Sequence, residues 1–123
     1  MKGVFPIKTF ETTDTPFYYY DTDLLRKTLR AIIDEIGKYE NYNVHYAVKA
    51  NANPKLLNII CQAGLGVDCV SGGEIMAALN AGFSPDKIVF AGVGKSDKEI
   101  KLGLDKGCLL YTSPSPRDRT RSR

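Results

Sequence analysis

Apolar residues recur along this chain with two different periods, and the switches between them mark its elements. Leu24, Leu25, Leu29, Ile32, Ile33 and Ile36 fall at helical spacing and line one face of a helix. Asp21 or Thr22 can cap that helix, because a short side-chain oxygen accepts a bond from a free helix N–H, and Gly37 lies near its end. Residues 17–20, 44–49, 66–70 and 87–90 are short apolar or aromatic runs of the kind that favours strands. Helical stretches follow the last three. Asn53-Pro54 supplies a cap and a proline at the first helical position, and Leu56, Leu57, Ile59 and Ile60 carry that helix to Gly64. Ser71-Gly72-Gly73-Glu74 opens a second helix through Leu79, closed near Gly82, and Ser96 opens a third that runs to about Leu104. Ser84-Pro85-Asp86 reads as a turn and residues 91–94 as a loop. Residues 1–14 have little pattern and are expected to form an extended lead-in, with Thr15-Pro16 an extended or turn dipeptide after it. Strands alternating with helices across short loops predict a parallel sheet with helical crossovers. Periodicity leaves open whether that sheet is doubly wound or part of a (β/α)8 barrel.

Composition changes this picture only at the C-terminal end. An apolar fraction of 43% with 25% charged residues belongs to a soluble globular protein. No stretch approaches the roughly 18 apolar residues that span a membrane, and the first residues have no long apolar segment of a secretory signal. Cys61, Cys69 and Cys108 form no CxxC pair, and an odd count argues against a disulfide framework, so a cytoplasmic, reducing setting is expected. The net charge is +3, yet basic and acidic side chains balance through Gly107; the excess comes from Arg117, Arg119, Arg121 and Arg123 against Asp118. The body of the chain therefore gives no electrostatic reason to expect nucleic acid or an anionic membrane. Residues 108–123, rich in Ser, Pro and Arg, are expected to be a disordered tail, similar to translated adapter sequence, with a real basic tail that binds nucleic acid as the competing reading.

The chemistry concentrates in Val44-His45-Tyr46-Ala47-Val48-Lys49-Ala50-Asn51. Side chains alternate along a strand, so His45, Ala47 and Lys49 are expected on one face and Val44, Tyr46 and Val48 on the other. A strand that ends inward on a lysine is unusual. An ammonium buried without a partner is destabilising by several kcal/mol or gives up its proton, and a neutral lysine amine attacks carbonyl groups. A lysine that extends from a strand end to solvent is the plainer explanation. Asp68 lies inside a strand as well, and a buried carboxylate there needs a partner, which backbone N–H groups could supply.

Tyr46-Ala47-Val48-Lys49-Ala50-Asn51 resembles the cofactor-lysine motif of the fold-type III pyridoxal-phosphate (PLP) enzymes, the group of the alanine racemases and the diaminopimelate, ornithine and arginine decarboxylases. Within that group Val67-Asp68-Cys69-Val70-Ser71-Gly72-Gly73-Glu74 is most similar to the diaminopimelate decarboxylases, since ornithine-type members usually lack the paired glycines. The resemblance runs from about Thr15 to Gly107. It implies one domain over residues 15–107, the N-terminal part of a PLP-binding (β/α)8 TIM barrel truncated at about half, because a complete barrel takes about 250 residues. It implies pyridoxal 5'-phosphate on Lys49 as the catalytic lysine, Ala47 leaving room for a flat ring, and Asp68 helping to set charge states beside it. The implied activity is decarboxylation of meso-diaminopimelate to L-lysine, by a homodimer with active sites at the subunit interface. Decarboxylation of ornithine, arginine or carboxynorspermidine stays open, as does a non-catalytic PLP-binding homologue. The phosphate cradle, the acid for the pyridine nitrogen and the substrate-binding residues are expected beyond Gly107, so the chain alone is expected to be inactive.

The remaining motifs have local explanations. Ser71 and Glu74 satisfy a capping box, but a capping box does not call for two glycines, which also let a ligand or another backbone approach closely. Gly92-Val93-Gly94-Lys95-Ser96 looks like the end of a phosphate-binding loop, yet the position that pattern requires to be glycine is Val89; Ser96 and Glu99 form a second capping box. The resemblance implies that Lys95 contributes positive charge, because a similar Lys-Ser pair lies near the active-site entrance in that family. His45 is the only histidine, and no Cys/His spacing supports a metal site, so none is expected. Cys61 and Cys69 read as small core residues.

Overall fold

The computed structural model describes residues 2–111, and the chain divides into two compact units, residues 1–40 and residues 41–123. The first unit holds α1 (Ile7–Glu11) and α2 (Thr22–Ile36). A helix thus stands inside the stretch expected to be an extended lead-in. Residues 17–20 form no strand; the rings of Phe17 and Tyr19 gather instead on α1, with Phe10 lying 5.3 Å from Phe17 and 5.0 Å from Tyr19 between ring centroids, while Tyr18 and Tyr20 stack on each other. The Tyr19 hydroxyl donates to Val4 O at 2.6 Å, which uses the tyrosine as a tether rather than as a pleated side chain. An aromatic run favours a strand only where a neighbouring strand accepts its ladder, and here it packs locally. α2 starts where its cap predicts: Asp21 Oδ1 accepts from Leu24 N at 2.9 Å, while Oδ2 accepts from Val4 N at 3.0 Å. These backbone bonds hold the Asp21 carboxyl below the usual carboxylate range. Leu29 on the predicted apolar face is buried.

The second unit is a parallel sheet with helical crossovers, as its alternating pattern predicts. Its elements in order are β1 (His45–Ala47), α3 (Pro54–Gln62), β2 (Gly66–Cys69), α4 (Gly72–Asn80), β3 (Ile88–Phe90), α5 (Asp97–Lys106) and β4 (Leu109–Leu110). The strands pair in chain order, β1-β2-β3-β4, all parallel. That order has no reversal, whereas a doubly wound sheet reverses at a switch point; the sheet is wound in one direction, as in the first part of a barrel. Each helix begins at a side chain that accepts from a free N–H: Asn53 from Lys55, Ser71 from Glu74 and Ser96 from Glu99.

Register partners share a face, so the sheet has two faces of different character. Val67, Cys69, Ile88 and Phe90 form one, and all four are fully buried. α4 lies against β2 and β3, and α5 approaches so closely that a Cβ on Gly103 would sit 3.0 Å from Phe90 Cδ1. The core continues through Leu57, Ile75, Ala78 and Val48.

Two expectations for the ends of this unit change. β1 stops at Ala47, and residues Val48–Ala50 form a tight 3-10 turn in place of the predicted strand to Lys49. Asn51 N donates to Val48 O at 3.1 Å, the Tyr46 hydroxyl donates to Asn51 O at 3.1 Å, and Asn51 Oδ1 accepts from Asn53 N at 2.9 Å. This local hydrogen bonding competes with the ladder and ends the strand early. The second change follows Gly107, in the first residues of the expected 108–123 tail. Gly107 takes φ 74° in the left-handed region and terminates α5, Cys108 N donates to Gly103 O at 2.9 Å, and the chain turns back to form β4. Cys108 is buried and Tyr111 N donates to Phe90 O at 2.9 Å. The rest of the expected tail, residues 112–123, lies outside the described residues.

Candidate functional site

The face of the sheet opposite the helices carries His45, Ala47, Gly66, Asp68, Val89 and Leu109. None of its side chains is fully buried, and Leu109 is 62% exposed. Ala47 and Asp68 are direct register partners on neighbouring strands, and Val89 is the partner of Asp68 on its other side. His45 partners Gly66, and its ring occupies the space a side chain would need there: a Cβ on Gly66 would lie 2.4 Å from His45 Cδ2 and 2.8 Å from Lys87 O. Two of the three predicted site residues, Ala47 and Asp68, are therefore brought side by side.

Lys49 stands two residues beyond Ala47, in the 3-10 turn, and its side chain is exposed. It does not continue the face of His45 and Ala47 as a buried strand residue, because the turn breaks the alternation. Val48, with no solvent exposure, anchors the turn in the core and leaves Lys49 at the end of β1 on the rim of the sheet. This is the end where catalytic residues gather in barrels of this kind.

Asp68 is half-buried as a residue, but its Oδ1 atom is buried and has no hydrogen-bond partner. The plainer reading of Asp68, a carboxylate satisfied by backbone N–H groups, does not hold for that oxygen. A buried carboxylate oxygen without a donor is destabilising unless a cation or donor reaches it.

Around the rim, side chains from α4 and α5 fix the loops that follow the strands. Glu74 Oε2 accepts from Val70 N at 2.8 Å, one residue before the predicted N-cap contact, while Ser71 Oγ accepts from Glu74 N at 3.2 Å. Glu99 completes the predicted box with Ser96, accepting from Ser96 N at 3.0 Å, and its Oε1 also accepts from Gly72 N at 2.9 Å. The Gly72 N–H, followed by the Ser96 N–H and hydroxyl, holds the Glu99 carboxyl below its usual range. Lys95 Nζ donates to Gly92 O and, at 2.8 Å, to Tyr111 O, and it lies 5.2 Å from the Phe90 ring centroid. The lysine of the phosphate-loop look-alike thus ties the β3–α5 loop to the end of β4. Nothing in local spacing signals the Glu99–Gly72 and Lys95–Tyr111 bonds, which join residues 27 and 16 positions apart.

Among the described residues no group of three His, Cys, Asp or Glu side chains could hold a metal ion, and no helix is long and apolar enough to cross a membrane. What the arrangement offers is an exposed amine, a small residue and an unsatisfied carboxylate oxygen at one end of a parallel sheet.

Comparison with known proteins extends this description. The family described as pyridoxal-dependent decarboxylase, pyridoxal binding domain, matches residues 23–116, so the match continues beyond Gly107. The chain is 64% identical over 115 residues to the diaminopimelate decarboxylase of Bacteroides thetaiotaomicron, covering 94% of this chain and 30% of that protein. A crystal structure of diaminopimelate decarboxylase from Helicobacter pylori complexed with L-lysine superposes with a TM-score of 0.78 at 41% identity, covering 88% of this chain and 27% of the other. The arginine decarboxylase of Paramecium bursaria Chlorella virus superposes with a TM-score of 0.58 at 31% identity, over 67% of this chain and 22% of that one. The chain thus spans less than a third of the length of each of these relatives. Over that span, with the matched domain taking in the one-way parallel sheet and its uncovered face, the chain belongs to the pyridoxal-dependent decarboxylase family.

Proposed function

We propose that Lys49, Ala47 and Asp68 form the pyridoxal-phosphate site of this protein, and that the protein serves the decarboxylation of meso-diaminopimelate to L-lysine. The observation that carries this reading is the buried, unpartnered Oδ1 of Asp68 on the sheet face that α4 and α5 leave bare, next to Ala47 and near the strand end that bears Lys49. The residues suit the cofactor: a pyridoxal group held by a lysine brings N–H donors and positive charge of the kind Asp68 Oδ1 needs, and Ala47 projects only a methyl group where a flat ring has to fit.

Each residue has a separate task. Lys49 holds the cofactor through Nζ, which has to shed its proton to do so. The turn around it is held by the buried Val48 and by the Asn51 hydrogen bonds, so the amine emerges from a rigid base. Asp68 accepts a hydrogen bond and retains negative charge beside the cofactor. When bound, the cofactor supplies an electron sink for the pair left as CO2 departs.

The preference for diaminopimelate rests on the relatives named for that substrate, at 64% and 41% identity against 31% for the arginine enzyme. The same reading makes the protein a homodimer of a reducing cytosol, in keeping with its three free cysteines. The test is to incubate the chain with pyridoxal phosphate, reduce with borohydride and map the pyridoxyl label by mass spectrometry. We expect the label at Lys49, lost in Lys49→Ala. A label spread evenly over the lysines would overturn the site.

A further inference from the structure

Glu99 does more than cap its own helix. Its Oε2 already accepts from Ser96 N at 3.0 Å and from Ser96 Oγ at 2.9 Å, which completes the capping of α5. Its Oε1 turns the other way and accepts from Gly72 N at 2.9 Å, the first residue of α4. One carboxylate therefore joins the starts of two successive helices.

The absence of a side chain at Gly72 is what permits this. A Cβ there would sit 3.3 Å from Glu99 Cγ and 3.3 Å from Leu102 Cδ2, tighter than ordinary packing. The other glycine of the pair differs: a Cβ on Gly73 would meet only Ser71 Oγ, at 3.9 Å. The first glycine is explained by α5; the second leaves the start of α4 open.

Gly72 is four residues beyond Asp68, and besides the bonds Ser71 accepts from its own helix, from Glu74 N and Ile75 N, the segment between them is held at three points. Cys69 O accepts from Ala91 N at 2.9 Å, Val70 N donates to Glu74 Oε2 at 2.8 Å, and Gly72 N donates to Glu99 Oε1. The first is an ordinary strand-end bond. The second comes from α4 itself and moves with it. Only the third ties the exit of β2 to another helix.

We propose that Glu99 is a positioning residue for the pyridoxal site: by bonding Gly72 N it fixes the β2–α4 turn and so the end of β2 that carries Asp68. This rests on the assignment of Lys49 and Asp68 above. Glu99 touches neither cofactor nor substrate in this role; it acts through the backbone.

The experiment measures the pyridoxal phosphate concentration that half-saturates borohydride labelling at Lys49, together with the urea midpoint, for the unsubstituted chain, Glu99→Gln, Gly72→Ala and Asn58→Ala. Glutamine keeps one oxygen but sets an NH2 group against an N–H donor. Loss of a charge-assisted bond predicts half-saturation about tenfold higher in Glu99→Gln, with Gly72→Ala shifting the same way by crowding the same contact. Asn58 Nδ2 donates to Ala81 O at 3.1 Å, at the opposite end of α4; Asn58→Ala is expected to lower the urea midpoint and leave half-saturation unchanged. Glu99→Gln and Gly72→Ala that lower the midpoint with unchanged half-saturation would reduce Glu99 to a helix cap and overturn the proposal. Should Glu99→Gln not fold, Gly72→Ala decides by the same two readings. If the unsubstituted chain shows no preferential label at Lys49, the site assignment fails, and this inference with it.

Discussion

The two faces of the sheet are drawn from alternate residues of the same short strands, yet they obey different rules. On one, Val67, Cys69, Ile88 and Phe90 are all apolar and all at 0% exposure. On the other, an imidazole, a methyl group, a glycine, a carboxylate, Val89 and Leu109 stand in a row; the glycine is buried beneath the His45 ring, and none of the five side chains is fully buried. The packed face is where burying apolar surface supplies stability, at roughly 25 cal/mol per Å². The bare face is released from that duty and can hold a charge. Because side chains alternate with a period of two, a slip of one residue would exchange the faces and drive Asp68 under the helices. The register that stabilises the fold is thus the register that sets Ala47 beside Asp68 on the other face.

The largest effect expected from this contrast compares neighbours in one strand. Phe90→Ala should destabilise the chain by about 3–5 kcal/mol, the range for deleting a buried aromatic ring. Val89→Ala, one residue away on the half-buried face, should cost about 1 kcal/mol or less. Urea unfolding followed by circular dichroism checks both. Equal losses would mean that the bare face is packed in solution, and the comparison would break.

A smaller effect probes the bare face itself. Gly66→Ala places a methyl group within 2.4 Å of the His45 ring and 2.8 Å of Lys87 O. The ring can swing away but the carbonyl belongs to the backbone, so we expect a loss of about 1–3 kcal/mol, in the range for overpacking. His45→Ala in the same chain should recover part of that loss and not all of it. Full recovery in a double-mutant cycle would show that the carbonyl yields freely and that only the histidine requires the glycine.

The same contrast explains which parts were legible in the sequence. Helix starts at residues 22, 54, 72 and 97 follow from Asp21, Asn53, Ser71 and Ser96, because a cap is chemistry between residues two or three apart. The packed face was legible for a similar reason, as apolar runs bounded by glycine and proline. β4 was not: two residues carry no period, and Leu109–Leu110 is a strand only because Gly107 turns the chain back beside β3. α1 and the aromatic run at residues 17–20 depend on each other through Phe10, a tertiary contact with no local signature. At the site, a carboxylate inside an apolar run drew attention to Asp68, but only the folded structure shows its Oδ1 unpartnered. Lys49 was legible through the resemblance of its six-residue motif, whereas its position in a turn depends on the Tyr46–Asn51 bond. The second bond of Glu99 spans a sequence distance that no capping pattern covers.

A comparison by pH sharpens the contrast from the packed side. Cys69 adjoins Asp68 in the chain but points to the opposite face. Burial, with the Glu74 and Asp68 charges and Cys108 adding to it, pushes its thiol up to about 12. The folded chain therefore holds Cys69 as the neutral thiol, whereas the unfolded chain loses that proton at the ordinary thiol pKa of about 8.5. The contribution of this shift to stability is fully present below the unfolded value and is lost as pH rises from there to about 12. Lysines and tyrosines titrate in the same window, so the quantity to measure is the difference between the chain and Cys69→Ala. Their stability difference should shrink steadily between pH 8.5 and 11 if the packed face stays dry. At neutral pH a thiol reagent should modify the half-buried Cys61 readily and reach Cys69 only on unfolding. Rapid labelling of native Cys69, with a pH-independent stability difference, would show water entering beneath α4, and the two faces would then differ in composition without differing in solvation.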